Sequence, residues 1–324
     1  MQKICVNMEY LILILSLVGI VLGADFLVKG AVVVARKCRV SSFVIGAVIV
    51  GIGTSLPELV VSTVGAIGGN SEVAIGNVVG SNIFNVFAIL GLTALFFPIA
   101  VSRENMKFEI PFCIAVSILL MLLVYNFFVV GEPRLGRWDG AALLLVFTAF
   151  MWISLRRGKS SAATVGESVE EENKSLWFAA FSILGGLAAL IVSSNFFVDE
   201  AVAIARKLGV SDAFISITLL ACGTSLPELA ASVTAAVKKD TDMALGNIIG
   251  SNIFNATMIL GTASLITPLT TGKIGLVDYG AMILAAVLPM IFGIRGKITR
   301  FEGLLMLLCY AAYTWYIVTY VMAV

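Results

Sequence analysis

The chain has 324 residues, 60% of them hydrophobic and 13% charged, with a net charge of +1. A soluble monomer of that composition would expose too much apolar surface, so the class is a polytopic membrane protein set in a lipid bilayer. The balanced charge offers no field for nucleic acid. The absence of histidine excludes Ser-His and Cys-His catalytic pairs, so neither an enzyme nor a cofactor is expected.

In chain order, the first apolar run covers 9–35. It is expected to belong to the fold rather than to a signal peptide. Asp25-Phe26-Leu27-Val28 returns 170 positions later as Asn195-Phe196-Phe197-Val198, and Ala35-Arg36-Lys37 as Ala205-Arg206-Lys207. Further spans are expected near 41–68, 73–97, 109–130 and 138–156. A second set of five lies near 177–205, 211–237, 242–267, 276–294 and 301–322. Each is long enough for a bilayer of about 30 Å at 1.5 Å per residue. The expected fold class is all-α, with ten transmembrane helices in two repeats: 1–157 and 176–324. Between them, 158–175 is the one sizeable polar stretch, with the run Glu170-Glu171-Glu172. Its composition reads as a solvated linker, with a regulatory ion site as the alternative. The five cysteines are scattered and read as free thiols.

The second span carries Gly53-Thr54-Ser55-Leu56-Pro57-Glu58, and the seventh carries the same six letters as Gly223-Thr224-Ser225-Leu226-Pro227-Glu228. The spans that follow share Gly80-Ser81-Asn82-Ile83-Phe84-Asn85 and Gly250-Ser251-Asn252-Ile253-Phe254-Asn255 at the same offset. About 25 of the positions 41–98 are identical to their partners in 211–268, so the repeat is structural as well as local. Proline removes a backbone donor and clashes with the preceding turn, so each first motif should break its helix. The freed carbonyls and hydroxyls then need partners inside the protein. An acid at that depth costs on the order of 3 kcal/mol. One reading is a packing kink with its Glu bonded to a neighbour. The other is a cation site lined by hard oxygens.

Ser81 and Asn85 are four apart and share a helix face. With Glu58 they supply half of a coordination shell, and Ser251, Asn255 and Glu228 the other half. Interhelical hydrogen bonding is the alternative for these Ser and Asn residues. Asn82 and Asn252 lie about 100° around their helices and read as structural, as do Asn77 and Asn247. Gly76 and Gly80 read as a small-residue packing face.

Five spans per half is odd, which inverts the second half relative to the first. With the N-terminus outside, inner segments hold fourteen of the 21 Lys and Arg residues, among them Arg36, Arg103, Arg156, Lys238 and Arg300. Outer segments hold six, including Arg134, Arg206 and Lys273. The positive-inside rule then predicts a multi-pass cell-membrane protein with both termini extracellular and the linker cytoplasmic.

The paired motifs in two five-span halves resemble the cation/calcium exchanger superfamily, and most nearly its prokaryotic sodium/calcium exchangers. The resemblance covers essentially the whole chain. It implies calcium held by Glu58, Glu228 and the backbone carbonyls of Thr54 and Thr224. It also implies flanking sodium sites at Ser55, Ser225, Ser81, Ser251 and the carbonyls of Gly51 and Ala221, with Asn85 and Asn255 completing the centre. Na⁺ and Ca²⁺ are then the transported substrates, and a monomer is expected. Some relatives carry Asp where this chain has Asn255, which argues against a potassium requirement. Two glutamates neutralise one Ca²⁺ or two Na⁺. The alternatives are a Ca²⁺/H⁺ antiporter and, more remotely, a cation channel.

Overall fold

The computed structural model describes residues 2–126, 133–158, 174–208 and 221–321. Helix α1 covers Gln2–Cys38. A bent pair follows, α2 (Ser42–Thr54) and α3 (Leu56–Ile67), meeting at 47°. Then come α4 (Ser71–Phe96), α5 (Asn105–Tyr125) and α6 (Arg137–Gly158). The second half comprises α7 (Leu176–Lys207), α8 (Ala221–Gly223), α9 (Leu226–Val237) and α10 (Thr241–Ile266). It ends with α11 (Leu276–Gly293) and α12 (Arg300–Tyr316). Among the described residues, eight helices are long and apolar enough to cross a membrane, and the bent pair makes a ninth span. The expected span at 211–237 lies partly outside the described residues, as does most of the 158–175 linker.

The proline works differently from an interior kink. Pro57 and Pro227 each sit in the first turn of the helix after the break, with Ser55 and Ser225 as the residues before it. There the missing N–H costs nothing, while it still leaves the carbonyl four residues earlier without its helical donor.

Short strands tie the two halves together. β1 (Ile99–Ala100) pairs antiparallel with β4 (Lys297–Ile298), and β2 (Arg134–Leu135) with β3 (Leu269–Thr270). β1 and β3 lie at equivalent repeat positions, so each half contributes the same strand to a different partner.

α4 and α10 are the most deeply buried spans. Around them the core is aliphatic, with Ile75, Ile83, Leu90, Ile248 and Leu260 fully covered. Outside this centre, α1 and α7 run antiparallel in close contact. A Cβ on Gly23 would stand 2.9 Å from the Gly186 carbonyl, and one on Gly186 would stand 2.6 Å from the Leu27 nitrogen. Small residues allow this approach where lipid supplies no hydrophobic drive between helices. Ion pairs tie α1 to its neighbours at two points: Glu9 with Lys207, and Asp25 with Lys238 at 2.7 Å. Lys29 also pairs with Asp25, at 2.6 Å.

The packing of the two halves on the centre is unequal. Gly246 and Gly250 of α10 are buried against α2; a Cβ on either would lie 2.2 Å from the Phe43 carbonyl oxygen or 2.4 Å from Ala47 Cα. Their equivalents on α4, Gly76 and Gly80, are only half-buried. A Cβ on Gly76 meets nothing closer than Ile274 at 3.4 Å, and one on Gly80 meets no described atom within 4 Å. The small-residue face therefore serves close packing in the second half and not among the described neighbours of the first. At the end of α2 that packs on α10, Asp240 meets Ser42 and Arg36. Burial outweighs them and pushes its carboxyl above the ordinary range.

Candidate functional site

Both helix breaks face the same buried centre. Glu58 and Glu228 stand in the first turns of α3 and α9 and are wholly buried. The two motifs cross. Ser55 Oγ donates to Glu228 Oε1 at 2.8 Å, and Ser225 Oγ donates to Glu58 Oε1 at 3.0 Å. Each half therefore holds the other half's carboxyl group, and the two carboxyl groups are close enough to repel when ionised. Ser225 Oγ also lies 3.3 Å from Ser81 Oγ. Ser251 Oγ donates to the Gly51 carbonyl at 3.2 Å.

The threonines differ. Thr54 is fully buried; its hydroxyl donates to the Val50 carbonyl at 3.0 Å and lies 3.3 Å from Asn247 Oδ1. Thr224 is only half-buried, and its hydroxyl faces the Glu58 carboxyl group, as that of Thr54 faces Glu228. Ala221 lies in α8, one turn before the break.

Asparagines brace this centre from behind. Asn77 Nδ2 donates to the Glu58 carbonyl at 3.3 Å and to Ser62 Oγ at 3.0 Å. Asn247 does the same for the Glu228 carbonyl at 3.2 Å and Ser232 Oγ at 2.8 Å. Asn85 and Asn255 each open a π-helical turn, Asn85–Leu90 and Asn255–Ile259. Such wide turns leave helical carbonyls and side chains displaced, and they recur at functional sites.

Among the described residues, four carboxyl and amide oxygens of the expected set are buried without a partner: Glu58 Oε2, Glu228 Oε2, Asn85 Oδ1 and Asn255 Oδ1. Buried acceptors are ordinarily satisfied, and each orphan is costly. Four such atoms, paired by position across two repeats, form an oxygen-lined centre that suits a hard cation. No group of three or more His, Cys, Asp or Glu side chains able to hold a metal occurs among the described residues. The acidic groups that the two breaks bring together are Glu58 and Glu228.

These features define a class: a multi-pass membrane protein with two broken helices meeting at a buried, two-carboxylate, oxygen-lined centre. The family described as sodium/calcium exchanger protein matches residues 8–156 and 178–319, and the chain belongs to that family. It is 37% identical to the putative antiporter CaxA of Alkalimonas amylolytica, over 93% of this chain and 96% of the relative. It is 35% identical to the sodium/calcium exchanger MaX1 of Methanosarcina acetivorans, over 95% and 98%. Its fold matches the sodium-calcium exchanger NCX_Mj soaked with Na⁺ and no Ca²⁺, with a TM-score of 0.82, 32% identity and coverage of 97% of this chain and 99% of that one.

Proposed function

We propose that the chain is a secondary antiporter that exchanges Na⁺ for Ca²⁺ at one centre shared by its two halves. The observation that carries this reading is the crossed arrangement of Glu58 and Glu228, each with one unpartnered buried carboxyl oxygen, beside the unpartnered amide oxygens of Asn85 and Asn255. Two carboxylates balance one Ca²⁺ or two Na⁺, and neutral Ser and Asn oxygens with backbone carbonyls complete the six to eight ligands that calcium takes. Calcium is assigned to Glu58, Glu228 and the Thr54 and Thr224 carbonyls. Sodium is assigned to Ser55, Ser225, Ser81, Ser251 and the Gly51 and Ala221 carbonyls, with Asn85 and Asn255 at the middle. The contact of Ser251 with the Gly51 carbonyl supports grouping those two oxygens in one flanking site.

The architecture assigned is two inverted five-span repeats, 1–157 and 176–324, joined by a cytoplasmic linker at 158–175. The reciprocal contacts of equivalent residues and the exchanged β-strand pairs support it. The basic-residue bias places both termini outside. A reagent that cannot cross the membrane is expected to miss a Val165→Cys thiol in sealed cells and to label it after permeabilisation; labelling in sealed cells would reverse the orientation.

Alternating access requires the centre to open to one side at a time. The tight α2–α10 packing and the buried Thr54, against the half-buried Thr224, Gly76 and Gly80, support a state closed toward the cytoplasm and entered from outside. The α1–α7 pair, packed largely on itself, is the element assigned to slide across the centre.

The test is ⁴⁵Ca uptake into proteoliposomes. An outward Na⁺ gradient is expected to drive uptake without added K⁺, because Asn255 supplies no third carboxylate. Uptake driven by a proton gradient but not by Na⁺ would point to the Ca²⁺/H⁺ alternative, and flux needing no counter-ion would point to a channel.

A further inference from the structure

Four asparagine side chains form a closed circuit between α4 and α10. Asn82 Nδ2 donates to the backbone carbonyl of Asn252 at 3.0 Å, and Asn252 Nδ2 returns the bond to the carbonyl of Asn82 at 3.2 Å. With their amino groups committed, both turn Oδ1 the other way. Asn255 Nδ2 donates to Asn82 Oδ1 at 3.2 Å, and Asn85 Nδ2 to Asn252 Oδ1 at 3.0 Å. All four residues are at most 4% exposed. The circuit leaves two acceptors over, Asn85 Oδ1 and Asn255 Oδ1, both buried and unpartnered.

An asparagine amide presents an acceptor on one side and two donors on the other. If Asn255 turned over, its oxygen would face Asn82 Oδ1 and its amino group would take the place of the free oxygen. Two acceptors would then oppose each other in a buried site, and a donor would point where a cation needs an oxygen. Asn82 blocks that rotamer for Asn255, and Asn252 blocks it for Asn85.

We infer that Asn82 and Asn252 are positioning residues of the cation site: each locks the amide of the other half's Asn255 or Asn85 so that oxygen, and not nitrogen, faces the ion. The inference rests on the reading of Asn85 and Asn255 as ion ligands. The circuit also favours Asn over Asp at 255. An aspartate there has no hydrogen for Asn82 Oδ1 unless it is protonated, so the circuit matches a centre whose charge comes from Glu58 and Glu228.

The experiment measures Ca²⁺ affinity by titration of the purified protein and maximal exchange rate in proteoliposomes, for Asn82→Ala, Asn255→Ala and the double variant. Residues that orient a metal ligand typically change affinity by about 10-fold to 100-fold when removed. Asn82→Ala is expected to weaken Ca²⁺ binding by about 10-fold, at the low end of that range, with the maximal rate largely retained. Asn255→Ala should weaken it similarly, and the double variant no more than the worse single one, because Asn82 acts through Asn255. A packing role alone would lower the melting temperature, and the losses in affinity would multiply in the double variant. Asn252→Ala with Asn85→Ala is the mirror experiment if Asn82→Ala does not fold. Weakened binding in Asn255→Ala and Asn85→Ala but unchanged binding in Asn82→Ala and Asn252→Ala overturns the inference and leaves the ligand reading intact. Unchanged affinity in Asn255→Ala and Asn85→Ala overturns the ligand reading, and the inference falls with it.

Discussion

Glu58→Gln and Glu228→Gln should each abolish Na⁺-driven Ca²⁺ uptake while leaving a folded protein. Each substitution keeps the shape of the side chain and the acceptor for the opposite serine, since Ser225 and Ser55 each donate to one carboxyl oxygen. What it removes is one of the two charges facing a divalent ion in a low-dielectric centre, where the lost attraction is large. It also relieves the repulsion between the two carboxylates, so stability should hold or rise. The double variant is expected to be no worse than either single one, as for residues acting as a unit. Near-normal exchange in one single variant would return that glutamate to a structural role.

A second large effect is expected at a position where the two halves have the same residue. Gly246→Ala places a methyl group 2.2 Å from the Phe43 backbone oxygen, so α2 and α10 must separate. Among the described residues, Gly76→Ala, its repeat equivalent, meets the Ile274 side chain at 3.4 Å. Overpacking of this kind costs about 1–3 kcal/mol, whereas an Ala in place of a helical Gly with room for it gains up to about 1 kcal/mol. The melting temperature should therefore fall clearly for Gly246→Ala and hold or rise for Gly76→Ala. Equal shifts would mean that the two sides are packed alike in solution.

That pair also marks how far the sequence can be read. The repeat, the helix breaks and the paired glutamates are legible because each is written in local chemistry: an apolar run, a proline and an acid at one fixed offset. The break itself is finer than the letters suggest, since Pro57 and Pro227 begin the second half-helix instead of bending one helix. The crossing of Ser55 to Glu228 and Ser225 to Glu58 depends on how the halves meet, which no local pattern records. Asn82 and Asn252 illustrate the same limit. Helical geometry correctly sets them off the face of Ser81 and Asn85, but what lies on that other face is the opposite repeat's asparagine. The inequality of the two sides is invisible for a stronger reason. Gly76 and Gly246, or Gly80 and Gly250, are the same residues in matching motifs, yet they differ in burial.

The central claim is that both halves bind one Ca²⁺ between them. A calorimetric Ca²⁺ titration of the purified protein tests it most directly. One Ca²⁺ per chain is expected, displaced by added Na⁺ and lost in Glu58→Gln and in Glu228→Gln alike. Two Ca²⁺ per chain, with each glutamine variant retaining one, would contradict it.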